Sequence, residues 1–156
     1  MFFVDTSALV KPYLREFGAD TMMQLLAGDR EDVFISRHVA LEVVATFAYK
    51  LRDRQLSRRE YLAVRTRFID DVPIVFQVLG VDEAVVNRAI QLADTHRAFG
   101  VGSIDLIHVA TAERLATVKG RVPTIVCADR AMRNLASAAG FSVFNPETDD
   151  PITLAG

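Results

Sequence analysis

The chain has 156 residues, 51% apolar and 24% charged, and its 18 basic and 20 acidic side chains leave a formal charge of −2 at pH 7. That length and apolar content suffice for one ordinary core without disulfide or metal staples, and they exclude disordered and collagenous polymers. The near-neutral balance provides no global attraction to polyanions, so a nucleic-acid role has to rest on a local patch and a site.

In chain order, Phe2 to Val4 reads as a first strand, and Thr6 to Leu26 as a largely helical stretch interrupted near Pro12 and Gly18. Val33 to Ile35 is a second strand. Ser36 then caps a helix running to about Arg52, whose stripe Ala40, Val43, Val44, Phe47, Ala48 and Leu51 has the helical period. Ser57 with Glu60 forms a capping box opening a helix toward Ile69. The β-branched run Ile74 to Val78 reads as a third strand. Asp82 caps a helix carrying Val85, Val86, Ala89, Ile90 and Ala93, and Ser103 starts a very apolar one through Ala116. Thr124 to Cys127 is a fourth strand. Asp129 opens a last helix that Gly140 ends as its C′ residue, and Ser142 to Phe144 is a fifth strand. Residues 145–156 form a polar tail, expected to be loosely held. Short strands alternating with longer helices make this an α/β chain with a mostly parallel sheet, in a single domain spanning 1–156.

A lone cysteine, Cys127, forms no internal bridge, and no basic-then-apolar leader opens the sequence, so a reducing cytoplasmic address is expected. No uncharged apolar run reaches the ~18 residues of a membrane span. Glu42 interrupts the long run from Val39 to Ala48.

Four carboxylates stand where such a sheet would gather them. Asp5 follows the apolar run Phe2-Phe3-Val4, and Asp129 follows Ile125-Val126-Cys127-Ala128, so both sit where a strand ends and a helix begins. In a parallel sheet those ends share one rim, where ligands bind. Taken singly, each is more readily an N-cap worth ~1 kcal/mol. Asp105 opens a helix that is apolar nearly all round; its face carries His108, Val109, Ala112 and Ala116 and no Lys or Arg. A buried unpaired carboxylate there needs a cation, and a solvated one does not. Glu42 shares a helix face with His38, Thr46 and Tyr49 and by periodicity alone is a solvated surface acid, but its helix follows the second strand and belongs to the same rim. Several carboxylates together suit a hard divalent cation that takes oxygen ligands. The three histidines, His38, His96 and His108, have no zinc spacing with Cys127, and no phosphate-binding Gly loop or G-x-S-x-G elbow occurs.

Four blocks carry a resemblance: Phe3-Val4-Asp5-Thr6-Ser7-Ala8-Leu9-Val10-Lys11; Ile35-Ser36 with Glu42 six residues on; Ser103-Ile104-Asp105-Leu106-Ile107-His108-Val109-Ala110; and Ala128-Asp129 through Gly140, Phe141 and Asn145-Pro146. In order and spacing they resemble PIN-domain ribonucleases, most closely the VapC-type toxins of toxin-antitoxin pairs. The resemblance implies a three-layer α/β/α sandwich, an Mg²⁺ or Mn²⁺ site, and endonucleolytic hydrolysis of RNA. It makes Asp5 and Asp105 the metal ligands, has Glu42 and Asp129 complete a catalytic acid cluster, and has Thr6 or Ser7 orient water or a phosphate oxygen. It also implies a homodimer and a cognate antitoxin partner. Many members carry Leu-Arg shortly before the third acid, whereas Val101 and Gly102 stand here.

From Lys50 to Arg67 seven basic residues face two acidic ones, a local net of +5. This is either a solvated helical surface or a contact for RNA or antitoxin. The apolar N-terminal region with Tyr13, Phe17, Met22 and Met23 is either core or interface. Two further readings of the acids are a haloacid-dehalogenase-like phosphatase with Asp5 as nucleophile, against which Ser7 stands where that family has a second Asp, and a non-catalytic α/β binding module whose acids only cap helices.

Overall fold

The computed structural model describes residues 1–27, 33–96 and 100–150. Five strands, β1 (Phe2–Val4), β2 (Val33–Ser36), β3 (Gln77–Leu79), β4 (Thr124–Val126) and β5 (Val143–Phe144), form one sheet in the order β3-β2-β1-β4-β5. Every pairing is parallel, with Phe3 opposite Phe34 and Ile125, and Ser36 opposite Leu79. The eight helices of the described residues are α1 (Thr6–Leu9), α2 (Lys11–Leu14), α3 (Ala19–Leu26), α4 (Arg37–Arg52), α5 (Arg58–Val75), α6 (Glu83–Thr95), α7 (Ser103–Lys119) and α8 (Arg130–Ala138).

Most strand residues are β-branched or aromatic, and those of the three central strands β2, β1 and β4 are mostly buried, as both faces of a parallel sheet require. Side chains alternate between two cores. Phe3, Phe34, Ile125 and Cys127 pack against α6, α7 and α8, while Val4, Val33, Ile35 and Val126 pack against α1 to α5. The result is a three-layer α/β/α sandwich. On the second face Phe68 meets the rings of Tyr13 and Phe47 edge-on, centred 5.3 Å from Tyr13 and 6.2 Å from Phe47, and this cluster binds α2, α4 and α5 together.

The expected caps are present. Ser36, Asp82 and Asp129 each accept the N–H three residues on, and Ser57 and Glu60 form the reciprocal box. Gly140 takes φ +89° just past α8, as a C′ glycine should. The N-terminal helical stretch breaks at Val10, between α1 and α2, and again at Arg15 to Gly18, both ends of the latter left-handed, while Pro12 sits in the first turn of α2, where its missing N–H costs nothing.

Two expectations are corrected. Ile74 and Val75 belong to α5, not to a strand. Pro73 lies so near the helix end that only the last turn feels its missing N–H, and Val72 and Val75 stay packed on the core. The third strand starts after Phe76, whose backbone is extended. The polar tail is also held as far as Asp149: Asn145 and Pro146 are buried, Asp149 accepts the Asn145 N–H, and the Lys11 ammonium pairs with Glu147. The carbonyl of Pro146 lies so close to Gly18 that a Cβ there would stand 2.7 Å from it. Residues 151–156 lie outside the described part. Of the N-terminal apolar group, Tyr13 and Met22 are core, whereas Phe17 and Met23 are 76% and 45% exposed.

Candidate active site at the carboxyl edge of the sheet

Because all strands are parallel, β1, β2 and β4 deliver Asp5, Ser36 and Asp129 to the same edge, with β1 in the middle. The backbone N–H of Asp5 still bonds to the Val126 carbonyl at 2.9 Å, so the acid is fixed by the sheet ladder itself. The residue as a whole is 4% exposed. Oδ2 accepts the Ser7 N–H at 2.9 Å and the Ser7 hydroxyl at 2.6 Å, with the Cys127 thiol at 3.5 Å. The same Ser7 oxygen accepts the N–H groups of Ala128 and Asp129 at 3.0 and 3.1 Å. One hydroxyl thus joins the β1–α1 corner to the β4–α8 corner, and both of its lone pairs and its proton are used.

A second network holds Glu42. Its Oε2 accepts the Thr6 hydroxyl at 2.7 Å and lies 2.9 Å from Nε2 of His108, which is fully buried. Nδ1 of His108 is 3.2 Å from the Ser36 hydroxyl, which also accepts the Val39 N–H to cap α4. Both ring nitrogens of His108 are thus engaged, Nδ1 by Ser36 and Nε2 by Glu42. Nε2 lies 3.7 Å from Asp5 Oδ1, so this one ring stands between two of the acids. Burial would push the Glu42 carboxyl up, but the bonds from His108 and Thr6, with help from the charges of His108 and His38, hold it below the usual carboxylate range.

Asp105 sits in the first turn of α7 and its Oδ2 accepts the Gly102 N–H at 2.8 Å. Burial pushes its carboxyl above the usual value, and the Gly102 bond opposes this; the charges of Asp5 and Asp129 push it further up and that of His108 draws it down. Asp105 therefore lies within electrostatic reach of two acids far from it in sequence. Asp129 spends Oδ1 on the N–H of Met132 as the cap of α8.

All four sequence-predicted acids therefore share one region, linked through Ser7 and His108 or by mutual repulsion. Each commits one oxygen to protein donors, and the other accepts no hydrogen bond from the described residues. Among the described residues no three His, Cys, Asp or Glu side chains stand together as a ready chelate. Reading the sequence singled out the acids but not the groups that lock them: His108, Ser36 and Cys127. The only signal for His108 was its place one turn after Asp105 on a face without Lys or Arg.

Residues 2–137 match the family model described as PIN domain. The chain belongs to the PIN domain family. PIN domains are a nuclease family, and this one has the sheet and helical layers of its solved relatives. FitAcB from Neisseria gonorrhoeae superposes with a TM-score of 0.72 at 21% identity, covering 96% of this chain and 100% of that one. VapC20 of Mycobacterium tuberculosis, a sarcin-ricin-loop-cleaving toxin, gives 0.64 at 21%, covering 96% and 100%. VapBC2 from Rickettsia felis, solved bound to a DNA fragment from its promoter, gives 0.60 at 13%, covering 92% and 97%. At these identities the likeness is one of fold. No curated protein matches the chain. No helix of the described residues is long and apolar enough to cross a membrane.

Proposed function

We propose that this PIN domain is a divalent-metal-dependent endoribonuclease and the toxin of a type II toxin-antitoxin pair, with a cognate antitoxin as its protein partner and a homodimer as its working state. The observation that carries the reading is the set of four carboxylates at one sheet edge, each locked through one oxygen and open through the other. Fixed, half-satisfied carboxylates suit Mg²⁺ or Mn²⁺, which needs only one or two direct protein oxygens and retains waters. Asp5 and Asp105 would hold the ion, since both are half-buried or deeper, mutually repelling, and open at Oδ1. When bound, such an ion lowers the pKa of water and offsets charge on a phosphodiester.

The remaining roles follow from what each side chain has left to offer. Glu42 and Asp129 complete the acid pocket and are positioned to accept a proton from water. Thr6 donates its proton to Glu42 and keeps its oxygen lone pairs, so the orienting of water or a phosphate oxygen falls to Thr6. Ser7 has no lone pair left and acts by holding Asp5. The phosphatase alternative lacks its second Asp, because Ser7 occupies that place and is spent on structure. Relatives solved as FitAB and VapBC complexes support the antitoxin partner.

The test is cleavage of defined single-stranded RNAs by the purified chain with Mg²⁺ or Mn²⁺, with EDTA, and with Asp5→Asn and Asp105→Asn. Cleavage that needs the metal and both acids supports the reading. Cleavage indifferent to either, or none in any metal, overturns it.

A further inference from the structure

Helices α4 and α8 both start at the acid pocket, and neither has an acid in its first turn. They open instead with Arg37 and His38, and with Arg130 and Arg133. The other long helices follow the usual preference, with Glu60, Glu83 and Asp105 in the first turns of α5, α6 and α7. Cations beside a helix N-terminus oppose the macrodipole, so these two openings carry a local electrostatic cost that an anion would relieve.

Arg133 shows more than a charge. Its Nη1 donates to the carbonyl of Ala128, which pins the half-buried guanidinium at the corner that carries Asp129. A guanidinium has five N–H donors, and those not used on Ala128 meet no acceptor among the described residues. Arg37 and Arg130 are exposed and have no ion pair or hydrogen bond with described residues. The two turns follow β2 and β4, which flank β1 on either side, roughly 10 Å apart across the sheet. The two opening turns that carry these cations therefore lie on opposite sides of the strand end that bears Asp5. An acid pocket by itself repels phosphates, and cations at both sides compensate.

We propose that the opening turns of α4 and α8 form a two-sided clamp for the backbone of single-stranded RNA, with Arg37 holding a phosphate on the β2 side of the pocket and Arg130 with Arg133 holding one on the β4 side. The clamp rests on the ribonuclease reading, which supplies the strand lying across the acids. These arginines are positioning residues: they act on binding and register, not on the reacting atoms. The basic stretch Lys50 to Arg67 is a weaker candidate. Lys50, Arg52 and Arg67 are paired with Glu16, Asp53 and Asp71, and Arg58 and Arg59 lie beyond the far end of α4.

The experiment measures binding of a short labelled single-stranded RNA in EDTA across about 50 to 300 mM salt, together with kcat and KM in metal. Arg37→Ala and Arg133→Ala should each weaken binding about threefold or more and reduce the salt slope by about 0.7. KM should rise by a similar factor while kcat stays within about twofold. Arg58→Ala should change neither. Because Arg37 has no partner to lose among the described residues, its variant tests the clamp even if Arg133→Ala folds poorly, and Arg133→Lys should recover most of the slope. Unchanged slopes and KM in folded Arg37→Ala and Arg133→Ala proteins overturn the clamp. So does a loss confined to binding of a protein partner. Should the wild-type chain bind RNA with these arginine-dependent slopes and cut none, the clamp stands and the nuclease reading falls.

Discussion

Ser7 holds Asp5 in place: its hydroxyl donates to Asp5 Oδ2 at 2.6 Å while accepting two backbone N–H groups from the loop that carries Asp129. Ser7→Ala removes the donor and leaves the N–H groups of Ala128 and Asp129 without their acceptor. We expect a loss of about 1–3 kcal/mol in urea unfolding and a fall of about 10- to 100-fold in kcat, the usual range for a group that orients a metal ligand. Ser7→Thr, which keeps the hydroxyl, should recover much of both. An Ala variant with full kcat would show that Asp5 needs no such support.

His108 fixes Glu42 from inside the core. His108→Ala leaves the Ser36 and Glu42 bonds unmade and opens a cavity, and should cost about 2–4 kcal/mol by denaturant unfolding. Thr6→Val removes one donor at the pocket edge and should cost less, about 1 kcal/mol. Equal costs would mean that the ring fills space only.

The two perturbed acids give opposite pH effects. Glu42 has a depressed folded-state value, so its contribution is present above its unfolded pKa and lost as pH falls through the folded one. Asp105 has a raised value, so its ionisation weakens the fold as pH rises through the carboxylate range. Asp105→Asn should therefore melt at the same temperature as wild type or higher at pH 7, with the gap closing once both forms are uncharged in acid. Activity should fall at least about 100-fold. A lower melting temperature at pH 7 would assign Asp105 a structural role instead.

Adding Mg²⁺ or Mn²⁺ should raise the melting temperature by mass action, a stabilisation of about 2.7 kcal/mol at a concentration 100 times the dissociation constant. Asp5→Asn should blunt that rise. A wild-type curve indifferent to millimolar metal would count against Asp5 and Asp105 as ligands.

Two glycines with left-handed backbones differ in their surroundings. At Gly18, φ +86°, an added Cβ would meet the Pro146 carbonyl at 2.7 Å, whereas at Gly140, φ +89°, it would meet nothing within 4 Å. Gly140→Ala should cost about 1–2 kcal/mol from the backbone alone. Gly18→Ala should cost more and loosen residues 145–149, detected as faster amide exchange there.

Much of the fold could be read from residue order. β-branched runs set the strands, Ser36, Ser57, Asp82 and Asp129 marked helix starts, and the alternation of the two set the α/β class, because these signals are local and each residue carries its own preference. The third strand was misplaced because Ile74 and Val75 suit a strand and a buried helix end equally well, and only packing against the core decides between them. The sequence alone nominated Asp5, Glu42, Asp105 and Asp129 as acids at strand ends and helix starts. Tertiary structure decided that Glu42 is no solvated surface acid, since His108 lies 66 residues away in the chain and meets it only across α4 and α7. It likewise decided that Ser7 is a brace and that Asp105 faces like charge. Hydrogen bonds and repulsion between carboxylates depend on distance in space, and order along the chain fixes that distance only once a parallel sheet has brought its strand ends to one edge.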